Sequence, residues 1–272
     1  MLTIDIAICT IDARIKGVEQ VLLPPHAGVS YVVSWQRLSP ASLSADVPEA
    51  LVRRSDVRVV STSERGLSAN RNNALRHCAA DIIVIADDDC RYTPEALSAL
   101  RRCYEAHPEA DVVCCRMTDL TGRPFRAYPP HPFRYPHIPY GHYFCSCELT
   151  LRRRAVAIPF DLHFGLGAPV LGAAEEEVWL HDVHTRLPHS VILYEPIDLC
   201  ATAPGTTGSR FLTSPPVQRA KGALLAVVHR PPGAFLRIVK TALTARGASP
   251  VLRLRVLWEM LRGFAYAKRL GR

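Results

Sequence analysis

Three consecutive carboxylates, Asp87-Asp88-Asp89, close a short apolar run, Asp81 to Ala86 (Asp-Ile-Ile-Val-Ile-Ala). A continuous run of that length predicts a strand buried on both faces. In open α/β sheets, ligands bind beyond the carboxyl ends of strands. Three adjacent carboxylates repel one another unless a cation joins them, and hard divalent metals bridge such oxygens to phosphates. The triplet therefore suits a metal-diphosphate clamp. It equally suits a solvated acidic turn ahead of a helix, where the helix dipole favours negative charge. Taken alone, the triplet leaves both readings open.

Two further segments carry polar groups at telling places. In Gly66-Leu67-Ser68-Ala69-Asn70-Arg71-Asn72-Asn73-Ala74, Gly66 allows a turn and Ser68 can cap a helix. Arg71 and Asn72 then fall in its first turns, where donors could meet a nucleotide; a capped helix with an exposed Arg is the plainer alternative. Glu175-Glu176-Glu177 follows the glycine-bearing loop Phe160 to Gly172. These carboxylates could be dipole partners of a helix N-terminus. One of them could also be a general base that takes a proton from an acceptor hydroxyl. His131, His137 and His142 lie in a Pro-, Tyr- and Phe-rich stretch, and their irregular spacing favours packing or surface roles over metal ligation.

The elements that must position these groups follow from periodicity. Strands are predicted over Thr3 to Ile11, Val29 to Ser34, Val57 to Ser61, Asp81 to Ala86, Asp111 to Met117, Leu149 to Ala157 and Val191 to Tyr194. Helices are predicted over Leu67 to Cys78, from Thr93-Pro94 onward, and over Glu175 to Leu187. Thr93 caps the second of these and Pro94 suits its first turn. Alternating strands and helices predict a mostly parallel, Rossmann-like sheet. Residues 122–144 interrupt the alternation as a long loop, the kind that often forms a lid or binding wall.

Beyond Pro204 the character changes. Helices are predicted over Pro216 to Val228, Gly233 to Thr244 and Val251 to Leu270. In the last, Leu254, Leu257, Trp258, Leu261 and Ala265 share a face at helical spacing, with Arg255, Arg262 and Arg269 free to point elsewhere. Residues 196–272 hold thirteen Lys/Arg and two acids, whereas residues 1–195 hold 20 basic and 23 acidic residues. A basic amphipathic tail of this kind suits an anionic membrane surface. A helix that packs on the rest of the chain and exposes its arginines remains the alternative. The tail lacks a nucleic-acid-binding module, so no nucleic-acid partner is expected.

The chain has 272 residues, 48% hydrophobic and 21% charged, an ordinary globular composition that excludes disorder. Nine cysteines occur without a CxxC pair, which argues against a zinc knuckle and for a reducing compartment. Cys9 and Cys78 read as small buried hydrophobes. The N-terminus lacks a basic n-region, and no apolar run reaches the ~18–20 residues that span a bilayer. A cytoplasmic protein is expected, with peripheral contact at the inner face of the membrane through the basic helices.

Three stretches, in order, resemble family 2 glycosyltransferases of the GT-A fold: Glu64-Arg-Gly-Leu-Ser-Ala-Asn-Arg-Asn-Asn-Ala74, Ile85-Ala-Asp-Asp-Asp-Cys-Arg-Tyr92, and Phe160-Asp-Leu-His-Phe-Gly-Leu-Gly167 with Glu175-Glu-Glu177. The resemblance implies a GT-A catalytic domain over residues 1–205. Its nucleotide-sugar half would be 1–116 and its acceptor half 117–205, with a basic helical extension over 206–272. It implies a DxD motif in which Asp87 and Asp89 hold Mn²⁺ or Mg²⁺. It gathers Thr10, Gln36, Arg65, Ser68, Arg71 and Asn72, with Asp87 and Asp88, around a nucleotide-diphosphate sugar. Ser146 and Glu148 fall where the family shapes its acceptor pocket. Glu176 falls at the catalytic base, flanked by Glu175 and Glu177. The implied reaction is an inverting displacement onto a glycan or lipid-linked acceptor, as in polysaccharide biosynthesis. Two departures stand out. Val33-Ser34-Trp35-Gln36 replaces the family's acidic pair after the second strand, and Asp198 to Pro204 lacks its late His. These departures keep a non-catalytic nucleotide-sugar-binding protein in view. A nucleotidyltransferase is disfavoured, because Cys9 to Arg14 lacks the glycine-rich loop that it needs.

Overall fold

A computed structural model describes residues 1–203, 205 and 207–272. An eight-stranded sheet runs in the order β3-β2-β1-β4-β7-β5-β8-β6. Strand β1 (Ile4–Ile11) lies third in that order, in parallel with β2 (Val29–Gln36) on one side and β4 (Ile82–Asp87) on the other. Strand β3 (Val57–Thr62) extends this parallel half beyond β2. On the other side, β7 (Leu149–Arg152) is antiparallel to both β4 and β5 (Val112–Asp119). Strand β8 (Ile192–Thr202) then returns in parallel to β5, and the two-residue β6 (Phe133–Arg134) pairs antiparallel to it. The sheet is thus mostly parallel, as strand–helix alternation predicts.

The central strands are rich in Ile and Val, as strands buried on both faces are. Ile4, Ile6, Ile8, Val33, Ile82 and Val84 are completely shielded from solvent. Asp5, which interrupts the apolar pattern of β1, is buried too. It accepts hydrogen bonds from the amides of Ala79 (2.6 Å) and Ala80 (2.9 Å), and so ties down the chain that enters β4.

Eight helices accompany the sheet among the described residues. Two are single turns, α1 (Pro40–Leu43) and α2 (Glu49–Val52). Longer ones are α3 (Leu67–His77), α4 (Pro94–Ala106) and α5 (Glu175–Arg186). As expected, Thr93 caps α4, its side chain accepting from the Ala96 amide at 3.2 Å. The C-terminal helices are α6 (Pro215–Val228), α7 (Pro231–Leu243) and α8 (Pro250–Arg269). None of the described helices is long and apolar enough to cross a membrane.

Several boundaries differ from the sequence reading. Asp12–Val21 winds into successive 3₁₀ turns that the pattern does not announce. The strand expected over Leu149 to Ala157 ends at Arg152 and passes into 3₁₀ turns. The last strand, expected over Val191 to Tyr194, runs on to Thr202. Pro196 and a register irregularity near Arg116 break its alternation, which hid it.

The contacts divide the chain into two compact units. The first comprises Met1–Arg65, Ala69–Pro159 and Asp182–Pro204, and holds the whole sheet. The second comprises Gly66–Ser68, Phe160–His181 and Gly205–Arg272. The domain boundary expected between residues 205 and 206 falls at Thr206, which lies outside the described residues.

Within the second unit, α8 buries only part of the face that its large apolar residues form: Leu257 and Leu261 pack inward. Val256, Met260, Gly263 and Ala267 are buried, whereas Leu254 and Trp258 are exposed. Small residues explain the difference. A methyl group on Gly263 would lie 1.9 Å from the Arg219 carbonyl oxygen, and one on Gly222 equally close to that of Met260. The backbones of α6 and α8 touch there, which only glycine permits. Ala220, Ala223 and Ala267 continue the contact into a cluster with Phe164, Leu171 and Val178.

Candidate active site

The carboxyl ends of β1, β2 and β4 lie side by side: Cys9 is opposite Asp87, and Ile11 is opposite Gln36. The acidic triplet emerges at this edge, and its three carboxylates have different surroundings. Asp88 is buried and committed. It accepts from the Thr10 hydroxyl at 2.7 Å and from Arg14 Nε at 2.8 Å, and Arg14 Nη2 bonds its second oxygen. Asp87 is half-buried and faces Arg71 Nη2 at 3.4 Å. Asp89 is half-buried as well. Burial raises its pKa, and repulsion from Asp87 and Asp88 raises it further. The edge of the sheet is therefore short of positive charge at Asp89, despite the nearby Arg14.

Helix α3 supplies the opposing donors. Arg71 is almost wholly buried and donates to Ser146 Oγ at 2.6 Å. Asn70 donates to the Thr10 carbonyl at 3.0 Å, and Asn73 to Ser34 Oγ at 2.8 Å. Asn72 is half-buried and Arg65, just before the helix, is exposed. Gln36, buried at the end of β2, donates to the Glu64 carbonyl. Thr10, Asp87, Asp88, Arg71 and Ser146 are thus assembled by direct contacts, and Gln36 anchors the segment that leads into α3.

Four participants were not picked out from the sequence. Arg14 lies in the 3₁₀ segment, and its only signal was a basic residue soon after the first strand. Asn70 and Asn73 stand three apart on the buried side of α3, where polar side chains need partners. Asp12, with φ of 46°, accepts from the amides of Leu38 and Ser39 and from Ser42 Oγ, at 2.7–2.8 Å. Those bonds, the Ser39 amide foremost, hold its pKa down to about 2. Asp12 thereby fastens the loop after β1 to the loop after β2.

Glu148 is fully buried. Its oxygens accept from Tyr128 (2.5 Å), the Cys145 amide (2.8 Å) and Arg126. Burial nonetheless raises its pKa. Above it, the His142 ring is surrounded by Tyr128, Phe133, Phe144 and Tyr194. The loop 122–144 is therefore pinned by a buried ion pair and an aromatic cluster. His131 and His137 take no part in that aromatic cluster.

In the second unit, Ser68 donates to the Phe164 carbonyl at 2.7 Å. Gly165, with φ of 104°, is wedged between Ser68 and Glu175: an added methyl would lie 3.0 Å from the Ser68 oxygen and 3.1 Å from the Glu175 carboxyl carbon. Glu175 is buried, and Glu176 and Glu177 are half-buried in the first turn of α5. Lys221 approaches Glu177 at 3.8 Å.

Asp87 and Asp89 are hard oxygen donors in a carboxylate-rich setting, which fits a divalent cation. No group of three or more His, Cys, Asp or Glu among the described residues forms a complete metal cage. Two carboxylates completed by substrate phosphates and water is the usual way Mg²⁺ is held at a nucleotide.

Residues 42–159 match the family model described as glycosyl transferase family 2. No curated protein matches the sequence. Among solved structures, the chain is similar to S. aureus TarS 1-349, at 15% identity and TM-score 0.56, covering 99% of this chain and 74% of that one. It is similar to the same fragment in complex with UDP-GlcNAc, at 13% identity and TM-score 0.57, covering 97% and 82%. Against the longer S. aureus TarS structure the TM-score is 0.54 at 15% identity, and this chain spans 45% of that one. The sheet with acids at the end of β4 shares the fold of these glycosyltransferase structures, and the matched segment is similar to family 2 glycosyltransferases. Within that fold, residues 42–159, somewhat under half of the chain, carry the similarity to glycosyl transferase family 2.

Proposed function

We propose that the chain transfers a sugar from a nucleotide-diphosphate donor to a glycan or lipid-linked acceptor, with inversion at the transferred carbon. The observation that carries this reading is the division of labour in the acidic triplet. Asp88 is consumed by Thr10 and Arg14, which leaves Asp87 and Asp89 to face a cation and a diphosphate. A divalent cation, Mn²⁺ or Mg²⁺, would be held by Asp87 and Asp89 and would supply electrostatic stabilisation of the departing diphosphate. Arg14 and Arg71 add fixed positive charge at the same edge. Ser146 accepts from Arg71, and Asp88, itself held by Thr10, orients Arg14.

The nucleotide half of the donor is assigned to Thr10, Gln36, Arg65, Ser68, Arg71 and Asn72. Uridine diphosphate is the first candidate, because the similar TarS fragment was solved with UDP and with UDP-GlcNAc. Glu176 is proposed as the base that removes the acceptor proton, with Glu175 and Glu177 beside it. Ser146 and Glu148 are proposed to shape the acceptor side, Glu148 by holding Arg126 and Tyr128 of the 122–144 loop. Residues 1–205 are proposed as the catalytic domain, with its halves meeting near residue 116, and 206–272 as a helical extension. Nine free thiols support a cytoplasmic setting.

Replacing Asp89 with Ala tests the clamp. Metal-dependent hydrolysis of UDP-sugars should fall by at least ~10²-fold, the scale of losing a preorganised charge partner of the transition state. Unchanged turnover would remove the clamp from the mechanism.

A further inference from the structure

Helices α7 and α8 carry a second apolar surface that the second unit does not bury. On α7, Ala234, Ile238 and Ala242 face the cluster with Val256 and Met260. Phe235, Leu236 and Leu243 face out, at 51%, 69% and 57% exposure. Val239 completes their side of the helix at i, i+4 and i+8 spacing. On α8, Val251, Leu254 and Trp258 are 77%, 67% and 63% exposed. Leu243 and Val251 flank the short connection between the two helices.

The charges around this surface are one-signed. Residues 230–272 contain ten Lys/Arg and one acid, Glu259. Glu259 is buried and internally neutralised, by Arg219 at 2.6 Å and Arg262 at 3.1 Å. Arg237, Lys240, Arg246, Arg255 and Arg269 are exposed.

We propose that the outer faces of α7 and α8 dock onto an anionic phospholipid surface, with Phe235, Leu236, Leu243, Leu254 and Trp258 entering the headgroup–acyl boundary and the arginines meeting lipid phosphates. Large exposed apolar side chains rimmed by cations are the signature of an interfacial helix. A second copy of this chain is a poor occupant, because a two-fold contact would set the exposed Arg237, Lys240, Arg246, Arg255 and Arg269 against the same cations. Nucleic acid would use the cations and leave the aliphatic side chains without purpose.

Trp258 is a built-in reporter, since the other two tryptophans, Trp35 and Trp179, are buried. The full chain is mixed, without donor sugar, with vesicles of phosphatidylcholine alone or containing phosphatidylglycerol. Independence from the donor keeps this test separate from the glycosyl-transfer reading. Only the anionic vesicles should shift tryptophan emission to the blue, and acyl-brominated lipid should quench it. Leu236→Gln with Leu254→Gln should weaken vesicle binding by about tenfold or more, at unchanged circular dichroism and melting temperature. Trp258→Phe should keep binding by co-sedimentation and lose the optical signal. The proposal is overturned by absent vesicle binding, or by binding that ignores both the double variant and the brominated quencher. It is equally overturned if sedimentation velocity shows self-association through this face, or if a polynucleotide binds as tightly as the anionic vesicles with no Trp258 shift.

Discussion

Arg71 is buried yet bridges two segments distant in sequence, reaching Ser146 at 2.6 Å and Asp87 at 3.4 Å. Both contacts come from one nitrogen, Nη2, and the shorter lysine side chain does not bring its ammonium to that point. Arg71→Lys should therefore lower kcat/KM for the donor by roughly 10²-fold, measured by steady-state kinetics beside a melting curve that shows the fold intact. His142 gives a separate residue-scale prediction. Burial, and then Arg126, hold its pKa down to about 4 from 6.5. The unfolded chain binds that proton near ~6.5 and the folded chain only near 4, so stability is lost as pH falls through that interval. In His142→Gln the dependence of melting temperature on pH between those values should flatten; an unchanged slope would contradict the assignment. At this scale the sequence disclosed residues whose type alone is unusual, such as the acidic triplet and Arg71. Arg14 and Asn70 stayed hidden because their partners, Asp88 and Thr10, become neighbours only when β1, α3 and β4 assemble.

The helices and strands were legible wherever one period dominates. The central strands and α4, with its Thr93 cap, follow directly from pattern. The late strand β8 did not, because Pro196 and the bulged pairing with β5 erase its alternation. The packing side of α8 is not marked by large side chains alone: Leu257 and Leu261 pack inward, Leu254 and Trp258 stay exposed, and close approach selects Gly263 and Ala267. Gly263→Ala puts a methyl group 1.9 Å from the Arg219 carbonyl oxygen. It should destabilise the protein by about 1–3 kcal/mol, the usual cost of overpacking. Urea unfolding, with midpoint and slope fitted together, checks this, and a variant as stable as the wild type would show that α6 and α8 are not in backbone contact.

At the scale of the whole chain, the mostly parallel order of the sheet could be inferred from strand–helix alternation, and the basic tail from counting charge. The position of β7 within the sheet could not, because two antiparallel pairings join segments that sequence patterns treat as independent. Nor could the exposed apolar face of α7, since nothing in one sequence says which of two apolar faces a helix will bury.

The central claim is that Asp87 and Asp89 seat a divalent cation against a nucleoside diphosphate. Isothermal titration of UDP, GDP and CDP into the wild type, Asp89→Asn and Glu176→Gln, each with and without Mn²⁺, addresses it most directly. The account predicts metal-dependent binding of one diphosphate by the wild type, at least tenfold weaker binding in Asp89→Asn, and full binding without sugar transfer in Glu176→Gln. Binding that is indifferent to Mn²⁺ and to Asp89→Asn, or no binding of any of the three, would contradict it.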